Sequence, residues 1–354
     1  MDKFEVDEKA EYVPGWISFL STAVGILRAI GEEADLVDAG GYSGYAFHLN
    51  TAVDETRPSA PTVAPFDLFR EGLESLGRQV TFGWTGPCYT PSTDEEDLAR
   101  ARSFFDDVKS TLTRIDRPVG IWGIPVPEFG IVNGFDGDSY LVSTFRSLRN
   151  KSREEDPIKY DLLNAPGGLS KLVFGEPLEL RGQNLIDKAA LERAIHIAKG
   201  VKLDDEEVDS AYITGPDALT QWADILEQGI VPASEEEYNE IKGKMKLNYH
   251  GNAYVAACTR EGMELAASFL MRFSRRYKSE TYGGYFEEAS HQYKHAAEKL
   301  RIFTELFPFD ADLHWSAAEF SDDKRTMGSG LLRDAKPHVL VAIESMEKAL
   351  AGWS

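Results

Sequence analysis

Residues 117–136 read RPVGIWGIPVPEFGIVNGFD, in which two apolar runs bend around a Pro-Val-Pro corner and lead into a glycine and aspartate turn. Apolar runs bounded by proline and glycine are typical of buried β-strands. Pro125 and Pro127 have no N–H to donate to a β-ladder, so they belong at the corner or on a sheet edge. The stretch therefore predicts a β-hairpin, and residues 140–143 predict the strand that follows it.

Glu128 is a single carboxylate at the mouth of this apolar hairpin. Burial of an unpaired carboxylate is costly. We therefore expect Glu128 to lie at the surface, to be paired, or to have a functional role. This makes it the first candidate for a site residue.

Helix and strand patterns alternate on either side of the hairpin. Apolar spacing predicts a largely buried helix over residues 17–30, which Gly31 ends. Residues 40–50, GGYSGYAFHLN, predict a tight glycine-rich turn that enters a strand, and they lack the Lys-Ser/Thr of a phosphate loop. The remaining predictions here are helices over residues 66–76 and 94–112, with Ser92 or Thr93 as the N-cap of the second, and a strand over residues 79–84.

The composition changes after about residue 185, where apolar spacings of three and four dominate. Predicted helices cover residues 185–199, 216–227, 249–277, 285–306 and 329–351. Pro337 is expected to kink or split the last of them. We therefore predict an α+β domain over residues 1–185, followed by an all-helical bundle domain over residues 186–354.

The 354-residue chain carries a formal net charge of −21 at pH 7. Such acidity argues against sequence-independent nucleic-acid binding and against docking on anionic membranes, since both need basic surfaces. No apolar run approaches the roughly 20 residues that span a bilayer, and the acidic first residues lack the apolar region of a signal peptide. Cys88 and Cys258 are too few and too far apart in sequence for a disulfide framework. We expect a soluble protein of the reducing cytoplasm.

The order of these elements, and several short phrases within them, carry a resemblance to a known family. GWISFL (15–20) opens the first helix, GYSGYAF (41–47) follows it, and PEFGIVNGFD (127–136) ends the hairpin. Together they resemble the papain-like cysteine peptidase fold in its compact bacterial form. The C-terminal phrases GPDALTQW (215–222), HGNAY (250–254) and LFPF (306–309) are similar to the helical part of proteins like the butirosin-biosynthesis acyltransferase.

The resemblance implies thiol chemistry that this sequence does not retain. In that family, a cysteine at the start of the first helix attacks an acyl carbon, and a histidine on the facing strand takes its proton. Here the expected cysteine position falls near Phe19, with Ser18 and Ser21 as neighbours, and Glu128 occupies the expected histidine position. The thiol and imidazole pair is thus replaced.

Three interpretations of the altered site stay open. The preferred one is a ligand cleft around Glu128 that binds a peptide-like or amino-acyl small molecule. In another, Glu128 and His48 form an acid–base pair. In the last, Ser18 is a nucleophile with Glu128 as its base, although a carboxylate with a pKa of about 4 is a weak base unless burial raises that pKa.

These interpretations lead to three classes of function. The first is a catalytically altered papain-like protein that binds a small ligand. The second is an active acyltransferase or amidohydrolase that acts on a carrier-bound or peptide-like acyl substrate in natural-product metabolism. The third is a structural protein whose helical half forms a homodimer.

Aromatic residues near the predicted cleft are candidates for its walls. Trp16 flanks the first helix, Tyr42 and Tyr45 lie in the glycine-rich turn, and Trp84 lies in a Gly-Trp-Thr-Gly-Pro loop. Loop aromatics beside a site commonly contact ligands. Asp136 is a further candidate for ligand binding, although turn chemistry also accounts for it.

Two histidines raise the question of a metal. His291 and His295 are four residues apart on a predicted helix, so both could face one ion. Gln292 stands where metallopeptidases carry the glutamate that follows the first histidine. Two surface histidines are the simpler interpretation, and we predict no metal and no cofactor.

Overall fold

The computed structural model describes residues 3–150, 152–202, 210–232, 234–310 and 319–353. It shows an α+β protein that combines helices with antiparallel sheet. The chain divides into two units. Unit 1 comprises Met1–Ala39 and Arg70–Leu180, and unit 2 comprises Gly40–Phe69 and Arg181–Ser354.

The helices and strands are numbered separately in chain order. The helices are α1 Ser18–Ala29, α2 Leu36–Ser43, α3 Phe66–Leu73, α4 Glu95–Ile115, α5 Gln183–Ala198, α6 Asp217–Gln228, α7 Glu235–Glu240, α8 Tyr249–Arg276, α9 Gly283–Leu306 and α10 Asp322–Gly352. The strands are β1 Lys3–Glu5, β2 Asn50–Ala52, β3 Arg78–Thr85, β4 Val119–Trp122, β5 Phe129–Asp136, β6 Ser139–Ser143, β7 Ile158–Lys159, β8 Leu169–Pro177 and β9 Tyr212–Thr214.

Unit 1 is built on a seven-stranded sheet in the order β3-β8-β4-β5-β6-β7, with β1 also paired to β5. The predicted hairpin is confirmed, because β4 and β5 pair antiparallel with Trp122 opposite Phe129 and Val119 opposite Val132. The predicted next strand is confirmed as β6. The sequence did not predict β8, which lies inside the sheet between β3 and β4.

Helices cover both faces of this sheet. Leu172 of β8 lies opposite Gly120, and a Cβ added at Gly120 would contact Thr22 of α1. The next side chain, Lys171, instead reaches α4, where its Nζ donates to Asp107 Oδ2 at 2.6 Å. Because neighbouring side chains on a strand point to opposite faces, α1 packs on one face and α4 on the other. Residues 18–27 of α1 are all buried, as their apolar pattern predicts.

The N-cap of α4 differs from the prediction by one or two residues. Asp94, rather than Ser92 or Thr93, is the cap, and its carboxylate accepts from the N–H groups of Glu96 and Asp97. The Ser92 hydroxyl instead accepts from the Asp94 N–H at 3.0 Å. Aspartate is as strong an N-cap as serine, so composition alone did not separate the two.

Unit 2 is dominated by long helices, in which α9 packs against both α8 and α10, and α6 packs against α10. Aromatic contacts fill its core, including Trp222 on Phe303 with ring centroids 5.0 Å apart and Tyr277 on Trp353 at 4.7 Å. Of the two expected effects of Pro337, a kink or a split, the split does not occur, because α10 continues through Pro337. The expectation of an all-helical domain is also wrong in one detail, because β2 and β9 form a two-stranded sheet.

Segment Gly40–Phe69 differs from its prediction in two ways. It belongs to unit 2, whereas the sequence placed it in the first domain. The predicted glycine turn is partly helical, since α2 continues through Gly40 and Gly41 to Ser43. Gly41 is needed for close packing, because a Cβ there would overlap the Phe269 ring of α8. The turn itself comes at Gly44, whose φ is +85°.

Candidate functional site

The start of α1 and the start of β5 are joined by a hydrogen bond. The Phe129 N–H donates to Ser18 Oγ at 3.0 Å, and Ser18 is the first residue of α1. Ser18 is only 5% exposed. Glu128 directly precedes Phe129 in the chain, so the contact brings the backbone of two predicted site residues to one place.

The loop between β4 and β5 fixes the backbone of Glu128. The Gly123 N–H donates to the Glu128 carbonyl at 2.9 Å, and the Gly123 carbonyl accepts from the Asn164 N–H at 2.8 Å. Gly123 has a φ of +83°, and a Cβ there would come within 2.6 Å of the Asn164 carbonyl oxygen. Glycine is therefore required at this position both by conformation and by space. The side chain of Glu128 is half-buried.

An aromatic cluster extends from α1 across this end of the sheet. Phe129 packs against Phe19 and Trp122, with ring centroids 5.2 and 5.0 Å away. Phe19 also contacts Phe82 at 6.0 Å, and Phe82 contacts Trp84 at 5.5 Å. Phe19, Trp122 and Phe129 are buried, whereas Trp84 is 40% exposed. The cluster thus presents a large aromatic surface at its Trp84 end.

Two further predicted ligand-binding residues, Trp16 and Asp136, belong to unit 1. Trp16 is 42% exposed and lies two residues before α1 begins. Asp136 ends β5, where it pairs with Lys3 at 3.3 Å. At about 3.3 Å per residue, the seven steps along β5 place Asp136 roughly 23 Å from Phe129. The structure therefore does not bring Asp136 to the Glu128 end of the strand.

Three predicted site residues belong to unit 2 instead: His48, Tyr42 and Tyr45. The Tyr45 hydroxyl donates to the Pro61 carbonyl, and its ring packs on Phe69 at 4.6 Å. These contacts explain Tyr45 as a core residue of unit 2.

Tyr42 belongs to a network around the buried carboxylate of Asp187. The Tyr42 hydroxyl donates to Asp187 Oδ1 at 2.8 Å, and the Tyr277 hydroxyl donates to Oδ2 at 2.7 Å. Gln183 Nε2 donates to Oδ1 at 2.8 Å, and the Arg276 guanidinium forms an ion pair with Oδ2. Burial raises the pKa of Tyr42 to about 12. The network ties α2, α5 and α8 together, which accounts for Tyr42 structurally.

His48 is also buried and its ring is held by one hydrogen bond. Its Nε2 lies 3.2 Å from the Val63 carbonyl, an acceptor, so Nε2 carries the proton. Nδ1 has no hydrogen-bond partner among the described residues. Burial lowers the pKa of His48 to about 4, so the ring is neutral at pH 7. The unprotonated Nδ1 of a neutral imidazole can accept a hydrogen bond or a proton. Glu128, however, which the sequence predicted as its acid–base partner, belongs to the other unit.

Neither cysteine occupies the position of the expected nucleophile. Cys88 is exposed and Cys258 is buried within α8, and neither forms a disulfide. Across the part of the chain that the structure describes, no group of three or more His, Cys, Asp or Glu side chains could hold a metal ion. Within the same residues, no helix is long and apolar enough to cross a membrane.

A separate surface groove of about 320 Å³ lies in unit 1. Residues 9–14, the middle and end of α1, and Arg153 line it, and none of the predicted site residues is among them. Arg28 in this lining already donates from Nε to the Ala34 carbonyl at 2.8 Å. We place the candidate site at Glu128 because its backbone, the start of α1 and the aromatic cluster come together there, whereas none of the predicted site residues lines the groove.

The chain matches no family model and no curated protein. The candidate site therefore rests on its own geometry.

Sequence reasoning missed Phe82 and Phe129 as parts of the site and Asp187 as the centre of a network. Phe82 and Phe129 looked like ordinary strand residues, and their shared position depends on the pairing of β3, β8, β4 and β5. Asp187 was not singled out in the sequence, yet it is 0% exposed. The predicted helix began only at residue 185, so the i, i+4 spacing of Asp187 from Gln183 became visible only with the observed start of α5 at Gln183.

Proposed function

We propose that unit 1 is a catalytically altered papain-like domain that binds a peptide-like or amino-acyl small molecule beside Glu128. The observation that carries the proposal is the hydrogen bond from the Phe129 N–H to Ser18 Oγ. In the papain-like arrangement, a helix start carries the nucleophile and the facing strand carries the base. The contact supports a register in which Glu128 stands at the expected histidine position and Ser18 stands next to Phe19, near the expected cysteine position.

The chemistry of the surroundings fits such a ligand. A carboxylate accepts hydrogen bonds from an ammonium group or an amide N–H, which amino-acyl and peptide-like molecules provide. The aromatic cluster that ends at Trp84 suits an apolar side chain of the ligand. Trp84 also lies on β3, the edge strand of the described sheet, and sheet edges can pair with extended peptide backbones.

The alternative of an active serine enzyme has less support. A nucleophilic hydroxyl must reach the substrate and transfer its proton to a base. Ser18 is buried and its oxygen already accepts a backbone hydrogen bond. Ser21 is fully buried within α1. A ligand cleft without nucleophilic chemistry therefore agrees better with the geometry.

We place this function in a reducing cytoplasm as part of the same proposal. Neither Cys88 nor Cys258 forms a disulfide, and the Cys88 side chain is exposed. An exposed thiol persists more readily in a reducing compartment than in an oxidising one.

A thermal-shift screen with amino acids, aminoacyl amides and short peptides tests the proposal. A ligand that binds the folded state raises the melting temperature in a concentration-dependent way. We expect Glu128→Gln to abolish the shift given by the best ligand. Asp136→Asn is the matched control, because it removes a carboxylate from the far end of the same strand, and it should leave the shift unchanged.

Three outcomes would count against the ligand cleft. Equal shifts for Glu128→Gln and the wild type would place binding elsewhere. Labelling of Ser18 by a fluorophosphonate probe, lost in Ser18→Ala, would favour the active enzyme instead. A protein that no member of the screen stabilises, but that is a stable dimer in sedimentation, would favour the structural alternative.

A further inference from the structure

Two imidazole rings meet on the surface between the last two helices of unit 2. His295 lies on α9 and His338 on α10, and their ring centroids are 5.3 Å apart with the planes inclined by 33°. The sequence offered His295 only with its neighbour His291, because His338 is far along the chain. Helix packing supplies the second ring from another element.

The tautomer of His338 is fixed by a chain of hydrogen bonds. Gln292 Nε2 donates to Glu288 Oε1 at 2.8 Å, which turns the amide oxygen of Gln292 toward α10. That oxygen lies 2.6 Å from Nδ1 of His338 and can only accept, so Nδ1 carries the proton. The Nε2 lone pair of His338 is therefore available. A histidine that donates through one nitrogen and offers the other is the usual form of a metal ligand.

The separation of the rings matches shared coordination of one ion. A metal about 2.1 Å from one nitrogen of each ring lies about 3.3 Å from each centroid, so a tetrahedral angle separates the centroids by about 5.4 Å. The observed 5.3 Å agrees with that value. Borderline divalent metals prefer imidazole ligands of this kind.

The charges around the pair are mixed. Lys299 lies one turn after His295 on α9, and its Nζ pairs with Asp334 Oδ2 of α10 at 3.3 Å. That ion pair compensates the positive charge nearest the rings, and Glu288 adds a negative charge behind Gln292.

We propose that His295 and His338 bind one divalent transition-metal ion, Cu²⁺, Ni²⁺ or Zn²⁺, through one imidazole nitrogen each, and that the ion links α9 to α10. Within the described residues no third His, Cys, Asp or Glu completes the set, so water fills the remaining positions. Gln292 is a positioning residue, since it acts on the ion only through His338.

Titration of the full-length protein with Cu²⁺, Ni²⁺ and Mg²⁺ by isothermal calorimetry near pH 7.5 tests the site. We expect one Cu²⁺ per chain, weaker Ni²⁺ binding and no Mg²⁺ binding, in line with the preferences of imidazole. His295→Ala and His338→Ala should each weaken Cu²⁺ binding at least tenfold. His291→Ala is the matched control, because it removes an exposed histidine one turn away on α9, and it should bind as the wild type does.

Substitutions of Gln292 test whether the hydrogen bond to His338 orients its ring for metal binding or whether the two histidines are merely adjacent. Gln292→Leu should weaken Cu²⁺ binding roughly tenfold, as loss of a supporting hydrogen bond does at other metal sites. Gln292→Glu keeps an acceptor for Nδ1–H and should restore the affinity. The electron paramagnetic resonance spectrum of bound Cu²⁺ should show two imidazole nitrogens in the wild type and one in His295→Ala.

The proposal is overturned if His338→Ala binds Cu²⁺ as the wild type does, or if His291→Ala weakens binding as much as His295→Ala, because the ion would then sit on α9 alone. His338→Gln is measured in parallel, and metal-free melting temperatures show that both variants are folded. Equal affinities for every variant would also overturn it.

Discussion

Ser18 Oγ accepts a hydrogen bond from the Phe129 N–H across 3.0 Å, which fixes the first turn of α1 against the first residue of β5. Both residues are buried, so no water replaces the hydroxyl if it is removed. We therefore expect Ser18→Ala to lower the free energy of unfolding by about 1–3 kcal/mol, the cost of a buried donor without an acceptor. Urea denaturation followed by circular dichroism measures the change.

Ser21 provides the control for that prediction. It is buried on the same helix, but among the described residues its hydroxyl has no hydrogen-bond partner. Ser21→Ala should stay within about 1 kcal/mol of the wild type, because it removes a polar group that is already unsatisfied. A larger loss for Ser21→Ala than for Ser18→Ala would contradict the structural role assigned to the Ser18 contact.

A substitution at Gly41 tests the close packing of α2 against α8. A Cβ at this position overlaps the Phe269 ring, so Gly41→Ala should destabilise the protein by about 1–3 kcal/mol through overpacking. Gly284 on α9 has no atom within 4 Å of an added Cβ, and Gly284→Ala should instead stabilise by about 0.4–1 kcal/mol. Thermal melts of the two variants should therefore move in opposite directions, and a shift of the same sign would argue against this packing.

The elements with strong local signals were predictable from sequence. Pro125 and Pro127 fix the corner of the β4–β5 hairpin, and Gly31 ends α1 with a φ of +86°. Each signal is contained within a few residues, so it survives in the sequence without knowledge of the tertiary structure.

Features that depend on long-range contacts were not predictable. Strand β8 contains Lys171 and Gly175, which weaken its strand pattern, although Lys171 is explained once Asp107 of α4 is beside it. The placement of Gly40–Phe69 in unit 2 depends on packing such as Gly41 on Phe269, which no local pattern records.

The candidate site also combines features with local sequence signals and features that depend on long-range contacts. The start of α1 and the hairpin that carries Glu128 were predictable from sequence, whereas the aromatic cluster depends on β3 joining the sheet through β8. The pairing of His295 with His338 likewise needs α9 and α10 to pack side by side.

A substitution of Asp187 tests the network that joins α2, α5 and α8. Its carboxylate is fully buried and forms an ion pair with Arg276. Arg276 stays partly exposed, but the hydroxyl and amide donors around the carboxylate lose their acceptor, so Asp187→Ala should lower the free energy of unfolding by about 1–3 kcal/mol. The exposed pair of Glu344 and Lys348 on α10 is the control, and Glu344→Ala should cost less than about 1 kcal/mol. Similar losses for the two variants would contradict a special role for the buried carboxylate.

His48 makes the stability of the protein depend on pH in the acid range. Its pKa in the folded protein is about 4, below the ordinary value of 6.5, because the ring is buried. The unfolded chain therefore takes up a proton as the pH falls from 6.5 to 4, while the folded protein does not, and stability is lost across that window. The loss attributable to His48 is about 3 kcal/mol, since each pKa unit corresponds to about 1.4 kcal/mol.

His48→Gln isolates this contribution, because glutamine keeps an N–H donor for the Val63 carbonyl but does not titrate. Urea denaturation of both proteins between pH 7 and pH 4 should show the wild type losing about 3 kcal/mol more than the variant. The other histidines and the carboxylates titrate in both proteins and cancel in the difference. A difference that stays constant over this range would mean that His48 is protonated in the folded state, and therefore that its ring has access to solvent or to a negative partner.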